Sequence, residues 1–207
     1  FLAGNYRFSA GNEAGALQAD GSINAPGGTV VLVAPQLNVS GSIAARRVGL
    51  ASASTVQVDV EGDGLVLFNL RNDDNRSFAL PLSGRVQADG SVEARAQARA
   101  GAAGQVLNMD GIVQARGFSQ QGGRVVIDGG TAGITTVHGS LDASGETGGN
   151  ATVLGQKLAL LDGARLDASG RLGGGSLQVG GGFHGEGTEH NAEQTWVGAG
   201  AVLRADA

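Results

Sequence analysis

The 207-residue sequence predicts an all-β fold, a parallel β-solenoid. Three observations lead there. The chain repeats itself: Gly139-Ser140-Leu141-Asp142-Ala143-Ser144-Gly145 returns 25 residues later as Ala164-Arg165-Leu166-Asp167-Ala168-Ser169-Gly170. A fixed period of this size marks a repeat architecture. Glycine supplies 38 residues and proline 3, with no Gly-X-Y period, so collagen and long helices are both excluded. Aromatic residues are 4% of a chain that is 41% hydrophobic, so the expected interior is narrow and aliphatic.

The elements follow in order. Gly21-Ser22-Ile23-Asn24-Ala25 leads through Gly27-Gly28 into Thr29-Val30-Val31-Leu32-Val33, and Gly41-Ser42-Ile43-Ala44-Ala45 restarts the pattern 20 residues after Gly21. Gly111-Ile112-Val113-Gln114-Ala115 precedes Gly122-Gly123-Arg124-Val125-Val126-Ile127. The two LDASG copies lead into Ala151-Thr152-Val153-Leu154 and Ser176-Leu177-Gln178-Val179, and Ala201-Val202-Leu203 begins another copy. Each run is short and either alternating or β-branched, as strands require. Glycines are expected to turn the corners through positive φ, and the Asp and Ser of LDASG to bond nearby backbone groups. One coil cannot bury its apolar face alone, whereas stacked coils can. At a spacing of about 4.8 Å, eight or nine coils give a rod of roughly 40 Å.

The whole chain, 1–207, reads as a single continuous solenoid with two excursions from the coil, over 69–78 and 180–196. The first is the polar run that follows Leu65-Val66-Leu67-Phe68; the second delays the next copy, since Leu166 and Leu203 lie 37 residues apart. In Val92–Leu107 the alternation predicts a strand at the start, and the Ala and Arg content a short helix or loop near Ala98–Leu107.

Composition narrows the function. The net charge of −5 is spread without blocks, so no basic footprint for nucleic acid and no polybasic membrane anchor is present. No apolar run approaches the ~20 residues of a membrane span. Without cysteine, disulfides and thiolate metal sites are impossible.

Phe1-Leu2-Ala3-Gly4-Asn5-Tyr6-Arg7-Phe8, then Gly28-Thr29-Val30-Val31-Leu32-Val33-Ala34-Pro35, then Gly62-Asp63-Gly64-Leu65-Val66 resemble the latter part of the secretion domain of filamentous haemagglutinin-like exoproteins, which are exported by two-partner secretion. Asn108-Met109-Asp110-Gly111-Ile112-Val113-Gln114-Ala115 and the LDASG units resemble the repeats that follow that domain. The resemblance covers essentially the whole chain but lacks the family's early Asn-Pro-Asn segment. It implies a right-handed parallel β-helix and a secreted product at the bacterial cell surface or in the biofilm matrix. The expected partners are an outer-membrane transporter during export, then exopolysaccharide, a host or bacterial cell surface, or further copies or coils of the same protein. A cysteine-free chain also suits passage across the outer membrane before folding. The expected role is the structural shaft of an adhesin, without catalysis, metal or cofactor.

Several constellations compete with that role. Asp142 and Asp167 occupy equivalent places in successive coils, about 5 Å apart if stacked, the separation of a retaining glycosidase pair; their shared Ala-Ser-Gly context favours turn residues instead. His184 and His190 share one excursion with Glu186, Glu189 and Glu193, a conceivable haem or metal set without fixed ligand geometry; His138 lies apart. Gly62-Asp63-Gly64 and Asp128-Gly129-Gly130 lack the tandem units of a calcium-binding nonapeptide array. A carbohydrate-binding surface is the main alternative to the shaft. Phe183, His184, His190 and Trp196 are its candidate residues, with Trp196 offering a ring on which a sugar can stack.

Overall fold

A computed structural model describes residues 5–10, 15–59, 67–71, 78–101, 103–116 and 123–207. The chain forms a parallel β-helix. β1 (Asn5–Ser9) lies outside the coils. The first coil holds β2 (Ala16–Ala19) and β3 (Ser22–Val33), the second β4 (Gln36–Val39) and β5 (Ser42–Ser52). β6 (Thr55–Asp59) and β7 (Leu67–Arg71) then leave the stack. The third coil is β8 (Leu80–Leu82) and β9 (Arg85–Ala96); the fourth is β10 (Gln105–Met109), β11 (Ile112–Ala115) and β12 (Arg124–Asp128). The fifth runs through β13 (Ile134–Val137), β14 (Ser140–Asp142), β15 (Gly145–Thr147) and β16 (Asn150–Leu154). The sixth runs through β17 (Lys157–Leu160), β18 (Arg165–Asp167), β19 (Gly170–Gly173) and β20 (Ser176–Val179), and the last contains β21 (Gln194–Val197) and β22 (Val202–Arg204).

Corresponding strands pair in parallel. One sheet of seven follows the order β2-β4-β8-β10-β13-β17-β21, and a sheet of ten carries the remaining long faces. Among the described residues the stack therefore has seven coils, not the expected eight or nine, and six spacings of ~4.8 Å make it roughly 29 Å long. Chain was spent outside the stack. β1, β6 and β7 form an antiparallel sheet in the order β1-β6-β7, and the coil resumes where Ala79 bridges to Gln36. The departure thus begins before the polar run at 69–78; positions 72–77 of that run, with Asp73 and Asp74, lie outside the described residues, as does Gly62-Asp63-Gly64. Among the described residues no helix forms over 98–107. The described residues of 97–104 form turns, the loop of the two expected alternatives, and Gln105–Met109 is a strand held between β8 and β13.

The interior is built from files of aliphatic residues, one per coil. Val39, Leu82, Met109, Val137 and Leu160 are in register and fully buried, as are Val86, Val113 and Leu141. Each such side chain contributes about 1.5–3 kcal/mol by leaving water. A second cluster explains why Val30-Val31-Leu32-Val33 is apolar on both faces. Val30 and Leu32 belong to the main core, while Val31 and Val33 pack outward with Ala51, Val56, Val58, Tyr6 and Leu70 beneath the antiparallel sheet.

The corner glycines act by close approach. Gly41, Gly84, Gly111 and Gly139 stack on one another, and a Cβ on any of them would collide with the carbonyl oxygen of the glycine one coil earlier. Each of those carbonyls accepts a hydrogen bond from the next coil, as in Ile112 N to Gly84 O at 2.9 Å and Ser140 N to Gly111 O at 2.9 Å. None of the four has positive φ, contrary to the expectation for this corner; positive φ is used elsewhere, at Gly27, Gly130 and Gly163 among others.

Candidate functional site

The excursion after β20 is shorter than its sequence suggested. Gln194–Val197 is a ladder strand in register with Lys157–Leu160, so the loop proper is 180–193 and Trp196 belongs to the seven-stranded sheet, opposite Ala159. Four glycines with positive φ, Gly180, Gly181, Gly185 and Gly187, let it fold back on itself. Asn191 closes it: its Oδ1 accepts from Gly182 N at 3.2 Å and its Nδ2 donates to Gly185 O at 2.8 Å. At the tip, Phe183 is 86% exposed and meets the His184 ring edge-on, with centroids 4.1 Å apart. His184 has φ 56°, an uncommon conformation for a residue with a Cβ.

The structure brings Phe183 and His184 together but turns His190 the other way, down onto the coils. Its Nε2 donates to Oδ1 of Asp128 at 2.8 Å. Asp128 also accepts from Gly130 N at 2.8 Å and, through Oδ2, from Arg95 Nη1 at 3.0 Å. Arg95 Nε reaches Glu93 Oε1 at 2.5 Å. Asp128 and Glu93 are both 5% exposed, so this is a buried charged network spanning the third and fourth coils and capped by the loop. Burial pushes the Asp128 carboxyl up, but the bonds from His190 and Gly130 and the charge of Arg95 outweigh it, leaving its pKa below the ordinary value. The bond to Asp128 raises the pKa of His190, against a smaller opposing effect of burial. Burial raises the pKa of Glu93, and Arg95 only partly offsets it. Sequence reading missed this network. Glu93 and Arg95 stood out only as alternating polar positions, and nothing local ties Asp128 to a histidine 62 residues away.

Asp142 and Asp167 do sit opposite each other in β14 and β18. Each carboxylate is engaged in its own corner. Asp142 Oδ1 accepts from Ser144 N at 3.0 Å and Ser144 Oγ at 2.6 Å, and Asp167 Oδ1 accepts from Ser169 N at 2.8 Å. Asp142 Oδ2 further accepts from Gln114 Nε2 at 3.2 Å and from Arg116. Burial raises the Asp142 pKa, but Arg116 and Ser144 together bring it below the ordinary value. An ionised, fully bonded Asp142 is a turn residue and a poor proton donor. Asp128-Gly129-Gly130 is likewise a turn closed by the aspartate on its own backbone. His138 stands apart, 3.9 Å from Asp110.

The seven-stranded sheet presents a contrasting surface. Its strands carry one charged residue, Lys157. Gln18, Gln36 and Asn38, with Ala79 and Pro81, line a shallow groove of about 290 Å³ on its outward side. Farther along, Thr136 Oγ1 donates to Asn108 Oδ1 at 2.8 Å and accepts from Gln105 Nε2 at 3.4 Å. Trp196 ends the row, 52% exposed, with its indole folded over Gly198.

The class these features define is a parallel β-solenoid with an added antiparallel sheet and one structured loop. No protein-family model matches the sequence, and no curated protein matches it. Among solved structures, the fold is similar to that of the HMW1 secretion domain from Haemophilus influenzae, with a TM-score of 0.83 and 21% sequence identity over 97% of this chain and 54% of that one. At that identity the likeness is one of fold, and this chain spans about half the length of the other.

Proposed function

We propose that this chain is a structural segment of a secreted, cell-surface adhesin exported by two-partner secretion, and that it forms part of the shaft. The observation that carries the reading is the fold likeness to the HMW1 secretion domain across 97% of the chain. The physical features agree with it. A continuous file of backbone ladders and aliphatic layers makes a stiff rod. A chain without cysteine cannot be locked by disulfides before it crosses the outer membrane. The partner during export is an outer-membrane transporter, and each coil then folds on the edge of the one before it. The test is location. Antibodies raised against the chain should label intact producing bacteria, and deletion of the transporter should abolish the label while the protein accumulates inside. Retention of the protein in the cytoplasm of normal cells would overturn the reading.

Carbohydrate binding is the second reading, favoured by the exposure of two aromatic rings, Phe183 and Trp196. They stand on different supports, one on the loop tip and one on the ladder. Competition of cell binding by soluble glycans, compared between the native chain and Phe183→Ala, tests whether the loop is the contact.

A further inference from the structure

We propose that the outward face of the seven-stranded sheet, from Gln18 and Asn38 to Trp196, binds an extended, uncharged polysaccharide laid across the coils. The inference rests on the carbohydrate reading and moves its contact surface from the loop to the shaft.

One file crosses the coils in register, Gln18, Asn38, Pro81, Asn108, Thr136, Ala159 and Trp196; Thr136 is buried beneath the amides it bonds, and the others are half-buried or exposed. It contains no ionisable side chain, and the flanking file adds Gln36, Gln105 and Gln194 with the single charge of Lys157. Other ionic side chains stand at the strand ends, such as Asp110 beside Asn108 and Glu193 before Gln194, or on other faces, as Glu93, Arg95, Asp128, Arg116 and Asp142 do. Planar amides both donate and accept, so each can bond a pair of neighbouring sugar hydroxyls. The bonds linking Gln105, Thr136 and Asn108, with Asn108 Nδ2 donating to Asp110 at 2.8 Å, fix the planes of those amides before any ligand arrives. Pre-set polar groups cost less ordering on binding. Trp196 closes the file with an apolar ring held along the surface: a Cβ on Gly198 would come within 3.0 Å of its Cη2. At the opposite end lies the groove of about 290 Å³.

The length of the face explains why the ligand is a polymer. Amides stand in the first, second, fourth and seventh coils of a face about 29 Å long that ends at Trp196, so an extended chain reaches several of them where a single sugar cannot. The charge explains why it is neutral. With one lysine on the face and a net charge of −5 on the molecule, a polyanion gains little attraction and meets long-range repulsion.

The test is titration of the isotope-labelled whole chain, followed by backbone and indole N–H resonances. The probes are hexasaccharides of β-linked glucose, mannose and N-acetylglucosamine, with a galacturonate hexamer as the anionic comparison. At least one neutral hexamer should shift Gln36, Asn38, Asn108 and the Trp196 indole. Trp196→Ala should weaken it about tenfold, Asn38→Ala and Asn108→Ala about threefold each, and Phe183→Ala not at all. Circular dichroism guards against misfolding. Should Trp196→Ala not fold, Trp196→Phe, which keeps a ring and should retain most of the affinity, and the two asparagine variants decide. No shift with any neutral hexamer overturns the proposal, and so does equal binding of galacturonate. Shifts confined to 180–193 also overturn it but keep the carbohydrate reading with the loop as its site. None of these failures touches the shaft reading, which the surface-labelling experiment decides.

Discussion

His190 ties the loop to the coils through one bond to a buried carboxylate, and that bond makes the attachment sensitive to pH. The His190 pKa is raised above its ordinary 6.5, so its contribution is complete below that value and is lost as pH rises through the raised one. The Asp128 pKa lies below its ordinary 3.8, so its contribution is complete above that value and is lost as pH falls through the depressed one. The attachment is therefore firmest between the two. Protection of the 181–192 amides against hydrogen exchange, corrected for the intrinsic rate, should hold below the ordinary histidine value of 6.5 and fall as pH rises through the raised His190 pKa. His190→Gln should flatten that dependence and cost about 1 kcal/mol; a native protein whose protection ignores pH would contradict the assignment. The glycine corner gives a second residue-scale prediction. Gly111→Ala forces a Cβ into the Gly84 carbonyl and should cost about 3 kcal/mol or more. Gly21→Ala, at the first coil, meets nothing within 4 Å and should be neutral or slightly stabilising. Thermal melts of the two variants give the comparison.

Elements differ in how far they depend on neighbours in the chain. Ser140–Asp142 and Arg165–Asp167 were legible because the same leucine, aspartate and corner recur, and the structure pairs them residue for residue. The helix alternative over 98–107 fails while the loop alternative holds up to residue 104; the strand from Gln105 was not legible because its conformation comes from partners 25 residues or more away. The antiparallel sheet was not foreseen either. The second apolar face of Val31 and Val33 was visible, but its cover comes from β1, β6 and β7, three segments with no repeat to announce them. The loop 180–193 is an element of another kind, a self-closed excursion whose exit and return are fixed by ladder strands on both sides. Replacing 182–193 by a short Gly-Ser turn should leave the circular dichroism spectrum unchanged and lower stability by about 1–2 kcal/mol, the loss of the His190 attachment. A collapse of the β signal would mean that the loop organises the last coil.

At the scale of the molecule, stability is a stack of nearest-neighbour interfaces. A core truncation therefore hurts most where coils lie on both sides. Leu107→Ala, fully buried between Leu80 and Thr135, should cost about 2–5 kcal/mol. Leu203→Ala on the final strand, already 40% exposed, should cost well under half as much, as denaturant midpoints will report. Templated growth makes a kinetic prediction as well. A truncation lacking the first two coils should refold more slowly than the whole chain, and equal rates would refute templating.

The sequence by itself determined the architecture, because a solenoid is written one coil at a time. Repeating apolar runs choose the inward faces, glycine marks the corners, and the scarcity of aromatics sets a narrow aliphatic interior. Tertiary structure alone decided the number of coils, the cover over Val31 and Val33, the place of Trp196 on the ladder, and the meeting of His190 with Asp128. Each of these depends on where the chain returns after leaving the repeat. Return points are fixed by packing and charge pairing between distant residues, for which a periodic pattern carries no code.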